Sequence, residues 1–356
     1  MTLPCGTRSY KYAEDMAIIR TKTQWVLFLG FLVLLFTLPL YLKGISQHYN
    51  YWLSVANQIG ITIIAVTGLN ILLGYCGQLS IGQAGFVAVG AYTSAILTNR
   101  LGLPFLVGLI CSGFMAGAIG LIFGIPSVRV KGFYLAITTI AAQFIIIWVI
   151  NHWGLTGGFI GIRVPYASIG GFEFRSGASQ FYLIMAIVVL CTFLAKNLAR
   201  TRVGRAFIAV RDNDLAAEVM GINLFYYKML AFFIGCFLAG IAGSLMAHWV
   251  GFVNTEYFSL SESILYIGML IIGGLGTALG PILGVVFIRL LQQILTLEVV
   301  PFLEKTFTGL PAGFATGLTP MLFGLVIILF LVLEPRGLAH RWNLFKSAYR
   351  LWPFSY

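Results

Sequence analysis

Between residues 25 and 335 charge is confined to a few short clusters, and apolar blocks long enough to cross a bilayer follow one another almost without pause. Residues 25–42, 133–150 and the stretch around 322–333 are examples. Such blocks are favourable only in a solvent without water, where the backbone satisfies its own hydrogen bonds as helices. At about 20 residues per span, the pattern predicts helices over 25–42, 51–73, 81–98, 103–125, 132–151, 180–197, 229–250, 260–272, 278–297 and 318–334. The expected fold class is an all-α integral membrane protein of about ten transmembrane helices. Residues 1–24 read as an N-terminal segment, 25–334 as the transmembrane domain and 335–356 as a C-terminal tail. The polar, basic start precedes a full-length apolar run, so no cleaved signal peptide is expected.

Composition agrees. Charged residues are 9% of the 356, against about 25% in a soluble domain, and 59% are hydrophobic. Charge then sets orientation. With the N-terminus inside, Arg8, Lys11, Arg20 and Lys22, then Arg129 and Lys131, fall on inner segments. The next inner segment holds Lys196, Arg200, Arg202, Arg205, Arg211 and Lys228, and the tail Arg336, Arg341, Lys346 and Arg350. Only Lys43, Arg100, Arg163, Arg175 and Lys305 fall outside. By the positive-inside rule both termini are cytoplasmic. The net charge of +11 is thus mostly a topology signal, and no nucleic-acid partner is expected. The five Cys are scattered without metal or redox spacing, and no metal site is expected.

Glycine changes the picture next, with 41 copies. Gly113 and Gly117, Gly120 and Gly124, Gly276 and Gly280, and Gly280 and Gly284 stand at the spacing that lets membrane helices approach closely. Two clusters go further: 74–85, with Gly74, Gly77 and Gly82, and 273–281, with Gly273, Gly274 and Gly276. Both interrupt an apolar stretch and carry almost no charge. Non-helical backbone at membrane depth is tolerated against protein or a water-filled cavity, and paired interruptions point to a transport path. Two tight turns are the plainer reading.

Residues 198–228 form the longest polar inner segment. Asp212 or Asn213 can cap a helix that Ala216, Ala217 and Glu218 continue and Gly221 stops. A helix of about two turns is marginal alone, so tertiary or partner contacts are expected to hold it.

Here the residues resemble one family. Thr201–Ala206 leading into Arg211-Asp212-Asn213-Asp214, Ala216-Ala217-Glu218 and Gly221-Ile222-Asn223 is similar to the signature of membrane subunits of branched-chain amino acid ABC importers. Gly68–Tyr75 with Gly77–Ser80 and Gly90-Ala91-Tyr92 resembles its early motif, and Thr156-Gly157-Gly158 with Gly161-Ile162 its external-loop motif. Ala239–Gly243, Gly273–Gly276 with Gly280-Pro281, and Glu334–Leu338 complete the set. Gln83 departs from the pattern, in which His is frequent. The resemblance implies a second homologous permease subunit, two cytoplasmic ATP-binding subunits and an extracytoplasmic solute-binding protein, in a bacterial or archaeal inner membrane. It makes the segment around Arg211–Gly221 the element the ATPase grips. Arg205 and Arg211 would anchor it to lipid phosphate or acidic ATPase residues, and Asp212 and Glu218 would cap or pair.

The chain has no G-x-x-x-x-G-K-[ST] string and no H-E-x-x-H. It is expected to bind no cofactor, with ATP and Mg²⁺ on partner subunits, and to be no enzyme. An ion-coupled secondary carrier is the alternative class, and urea, amides, or aromatic and other organic acids are alternative cargo. Carriers usually need acids inside the membrane, and none of the 11 falls at predicted mid-span depth. Arg289 does, with Gln292 and Gln293 on its face. It either lines the pathway or makes a polar contact between helices or chains. Asn70, Gln78, Ser80, Gln83 and Thr138 are further groups that could line a route.

Overall fold

The computed structural model describes residues 22–45, 49–128, 132–299, 314–334 and 336–351. The N-terminal segment up to residue 21, the basic pair Arg129 and Lys131, Lys305 and the end of the tail lie outside them. The described residues are mainly helical: α1 Lys22–Ile45, α2 Tyr49–Leu69, α3 Gln83–Asn99, α4 Phe105–Val128, α5 Phe133–His152 and α6 Gly177–Leu198. Then come α7 Arg202–Asp212, α8 Asp214–Val219, α9 Leu224–Val250, α10 Leu260–Gly273, α11 Gly280–Ile294, α12 Phe314–Leu333 and α13 Leu338–Leu351. Among the described residues six helical segments have the length and apolarity to cross a membrane: Tyr49–Tyr75, Phe105–Pro126, Tyr134–His152, Gly177–Leu198, Leu224–Val250 and Gly280–Glu298. Leu260–Gly273 is apolar but shorter.

The core is α9 packed on α4, α3 and α2. Here helices meet backbone to backbone because side chains are missing where they cross. A methyl group on Gly90 would stand 2.3 Å from the Gly240 carbonyl oxygen, and one on Gly243 2.0 Å from that of Val87. Where α9 crosses α4 the glycines of α4 receive aromatic rings: Gly113 faces Phe237 and Gly117 faces Phe233. Small residues serve this purpose in lipid, where helices gain little hydrophobic energy from meeting. Outward faces are apolar and exposed, as at Ile110, Phe114, Phe144 and Trp148.

Contacts sort the connecting segments into two sets. On one, strand β1 (Ile162–Arg163) pairs antiparallel with β4 (Phe252–Val253), and β2 (Ser168–Ile169) with β3 (Phe172–Glu173). Asn99 at the end of α3 donates to the Arg163 carbonyl there. The other set holds both glycine clusters, α7, α8 and the approach to α13.

Candidate functional site

Both glycine clusters are true interruptions. After α2 the helix widens into a π segment, Asn70–Tyr75. Gly77 (φ +71°) closes it in the left-handed region, its N–H donating to Leu73 and that of Gln78 to Leu72. Glycine adopts that conformation without steric cost. The chain then runs extended to α3, which no side chain of its own caps. Neighbouring helices supply the missing acceptors: Ile81 N–H donates to Thr139 Oγ1 of α5 (2.9 Å) and Ala84 N–H to Ser263 Oγ of α10 (2.9 Å). Ser263 donates in turn to Gln143 Oε1, and Gln143 Nε2 to the Phe258 carbonyl. Thr139, not the half-buried Thr138, faces this break; Thr138 bonds back to Tyr134 of its own helix.

The second break follows α10. Thr277 Oγ1 accepts from Gly280 N–H and donates to the Gly274 carbonyl, ending the break as a cap for α11, with Pro281 in its first turn. Arg336, Gly337 and Ala339 lie against this break, where a methyl group on Gly337 would stand 2.8 Å from Gly274 Cα.

The two breaks touch each other. Asn70 Nδ2 donates to the Thr277 carbonyl (2.9 Å), and Gly276 N–H donates to Asn70 Oδ1 (3.0 Å). Arg211 joins them, its Nη1 donating to the Gly74 carbonyl at 2.8 Å. Its Nε and Nη2 hold Asp212 Oδ1 at 2.9 and 2.8 Å. Arg211 is therefore bonded within the chain while its side chain stays 36% exposed, and Arg205 is exposed. A cavity of about 400 Å³ lies beside this junction, lined by Cys76, Gln78, Leu135, Arg211, Asp214 and Lys228 among others. Burial pushes the Cys76 thiol up to about 12, against a smaller pull from Lys228.

The loop holds two helices where one was expected. Thr201 caps α7 by accepting from Gly204 N–H, and Gly204, Ala206, Phe207 and Val210 form its buried face. Val203 with Ala206, Phe207 and Val210, at i, i+3, i+4 and i+7, was the legible signal. Asn213 caps α8 through Ala216 N–H (3.0 Å), whereas Asp212 pairs with Arg211. Ala217 is buried, Glu218 and Gly221 are exposed, and Leu215, Val219 and Met220 stand out at 66%, 88% and 82% exposure.

Of the candidate pathway groups, Asn70 is a tie between breaks. Gln78, Ser80 and Gln83 are buried, and Gln78 Oε1, Ser80 Oγ and Gln83 Oε1 have no hydrogen-bond partner among the described residues. Gln83 Nε2 reaches the Ala65 carbonyl at 3.2 Å. Arg289 is 6% exposed and makes the polar contact between helices: Nη2 meets Glu262 Oε2 of α10 at 3.2 Å, and Nη1 meets Gln292 Oε1 at 3.1 Å. Sequence reasoning missed Glu262 as its partner because the carboxylate lies near the end of its own helix.

Residues 51–332 match the family described as branched-chain amino acid transport system / permease component. The chain belongs to that permease family. Relatives include the high-affinity branched-chain amino acid transport system permease protein LivM of Escherichia coli (strain K12), 33% identical over 266 residues, covering 68% of this chain and 63% of that protein. A probable branched-chain amino acid permease LivM of Methanocaldococcus jannaschii is 25% identical, covering 78% of this chain and 90% of its own. The autoinducer 2 import system permease LsrC of Enterobacter sp. (strain 638) is 29% identical over 71% of this chain and 65% of its own. The chain thus spans just under two thirds of the first of these. No solved structure matches.

Proposed function

We propose that this chain is a permease subunit of an ATP-driven importer for branched-chain or other hydrophobic amino acids. The observation that carries the reading is the physical link from an exposed apolar helix, α8, through Arg211 to two interrupted helices. A machine driven by a neighbouring ATPase needs such a handle on the path. The partners are a second homologous permease, two cytoplasmic ATPases holding ATP and Mg²⁺, and an extracytoplasmic solute-binding protein. In this reading the chain crosses a bacterial or archaeal inner membrane about ten times, with both termini cytoplasmic. Both breaks and the basic loop then face the cytoplasm, and the β1–β4 pair faces outward.

Division of labour explains why the chain is reticent about its cargo. A permease that binds an apolar amino acid tightly would trap it, so selectivity can reside in the binding protein. Identity of 33% to the branched-chain permease of Escherichia coli, against 29% to the autoinducer 2 permease, favours amino acids. Glu262 brings a carboxylate to the depth of Arg289, the feature an ion-coupled carrier would use, so the carrier stays the alternative that the uptake test separates.

The test is uptake of radiolabelled leucine into proteoliposomes holding this chain with its neighbouring permease, ATPase and binding-protein products. Uptake should require ATP and vanish on deletion of residues 212–221. Uptake by this chain alone, driven by an ion gradient, would replace the importer reading with a carrier.

A further inference from the structure

We propose that Arg211 is a positioning residue that ties the cytoplasmic loop to both interrupted helices at once, so that displacement of the loop reaches the two breaks together. This rests on the reading above that partner ATPases act on the chain.

The argument starts from an orphaned carbonyl. The last carbonyls of any helix lack intrahelical donors, and the π segment ends at Tyr75 with Gly74 buried one residue earlier. Arg211 supplies the donor from 137 residues away. Its position fits a link. It stands at the end of α7, whose buried face fixes that helix to the bundle, and immediately before α8, whose apolar side chains are bare. Asp212 holds the other edge of the guanidinium, so the fork is aimed before it meets the first break.

The second break is shaped around the same group. A methyl group on Gly276 (φ +69°) would stand 2.8 Å from Arg211 Nη1 and 2.8 Å from the Gly74 carbonyl oxygen. One on Gly77 would stand 2.9 Å from Arg211 Cγ. Glycines of both clusters therefore enclose one side chain, while Asn70 clips the clusters to each other. Pulling Arg211 strains Gly74 directly and Gly276 through Asn70. Lysine cannot substitute in kind, because a single ammonium cannot hold Asp212 and Gly74 with fixed geometry.

The experiment uses the complete assembly in proteoliposomes and reads two quantities. One is leucine imported per ATP hydrolysed; the other is the maleimide labelling rate of Cys76, resolved by mass spectrometry. Cys76 lines the cavity beside Arg211, and its neutral, buried thiol reacts slowly. Arg211→Gln should lower leucine per ATP by about tenfold, the scale of a typical coupling energy, and speed Cys76 labelling several-fold. Arg211→Lys, a gentler change should Gln fail to assemble, should move both in the same direction. Gly276→Ala should lower the ratio from the other side of the joint. An unchanged ratio in Arg211→Gln overturns the proposal. So does a proportional fall of uptake and hydrolysis with unchanged labelling, which marks a merely structural residue. If the unaltered assembly imports no leucine, the transport reading fails by itself. Labelling then still decides the joint, and indifference of Cys76 to Arg211→Gln overturns it.

Discussion

Removing the Glu262 carboxylate should destabilise the bundle far more than removing both members of its ion pair. The Arg289 side chain is 8% exposed, and its Nη2 faces Glu262 Oε2 at 3.2 Å, with Thr62 Oγ1 more distant at 3.5 Å. Glu262→Ala leaves a buried guanidinium with only neutral partners. Stranding one member of a buried pair costs about 3–5 kcal/mol, whereas replacing both with apolar groups of similar volume is often neutral or stabilising. The Glu262 side chain is 30% exposed, so water can partly compensate, and about 3 kcal/mol is the expected loss. Glu262→Leu with Arg289→Met should fall within about 1 kcal/mol of the natural pair. The gap of about 2 kcal/mol is roughly a thirtyfold difference in the folded-to-unfolded ratio. Denaturation of the purified complex in mixed micelles measures it. A double variant as unstable as Glu262→Ala would refute the reasoning. A double variant that folds normally but selectively loses uptake of carboxylate-bearing solutes would refute it differently, by placing Arg289 on the path.

Asn70→Ala should strand Gly276 N–H and the Thr277 carbonyl at about 1–3 kcal/mol each, raising amide exchange across 273–280; Asn70→Asp, which keeps one acceptor, should do less. Gly243→Ala drives a methyl group to 2.0 Å from the Val87 oxygen and should lower thermal stability by at least the 1–3 kcal/mol typical of overpacking, about. Gly30→Ala, with nothing within 4 Å, is the control and should stay within about 0.5 kcal/mol. Asn213→Ala removes the cap of a six-residue helix at about 1 kcal/mol; less ATPase should co-purify while the melting of the bundle is unchanged. Undiminished co-purification would move the docking surface away from α8.

What could be read from the sequence was local. Apolar length marked where helices would lie, and glycine clusters marked where two of them would stop. A cap at Asp212 or Asn213 was legible for the same reason, since the donor and acceptor of such a cap are three residues apart, and the structure selects Asn213. What escaped was long-range. Arg211 and Gly74 are 137 positions apart, and Ser263 and Ala84 are 179 apart, and periodicity carries no information on such pairs. A clue did exist in Gln143 and Ser263, polar groups inside apolar spans, where a polar side chain is costly without a partner. The same clue marks Ser94, Ser244 and His248, which bond to one another and, through His248 Nδ1, to the Pro165 carbonyl. The bond from Arg211 to Gly74 went unseen because the positive-inside rule assigns loop arginines to orientation, and a residue can serve both ends.

The glycine crossings of α9 also limit how the protein can move. Gly90 lies on Gly240, and Gly243 on Val87, so each crossing fits at one register. Sliding α9 by a turn along α3 would carry Cys236 or Ser244 toward the place of Gly240, and Ala239 or Ala247 toward that of Gly243, where only a hydrogen atom fits. Shear between those helices is therefore closed as a mode of conformational change, and hinge rotation is left. The natural axes are where helical bonding is already interrupted. Whatever opens this protein should leave α3 and α9 in fixed relation and swing the peripheral helices about them.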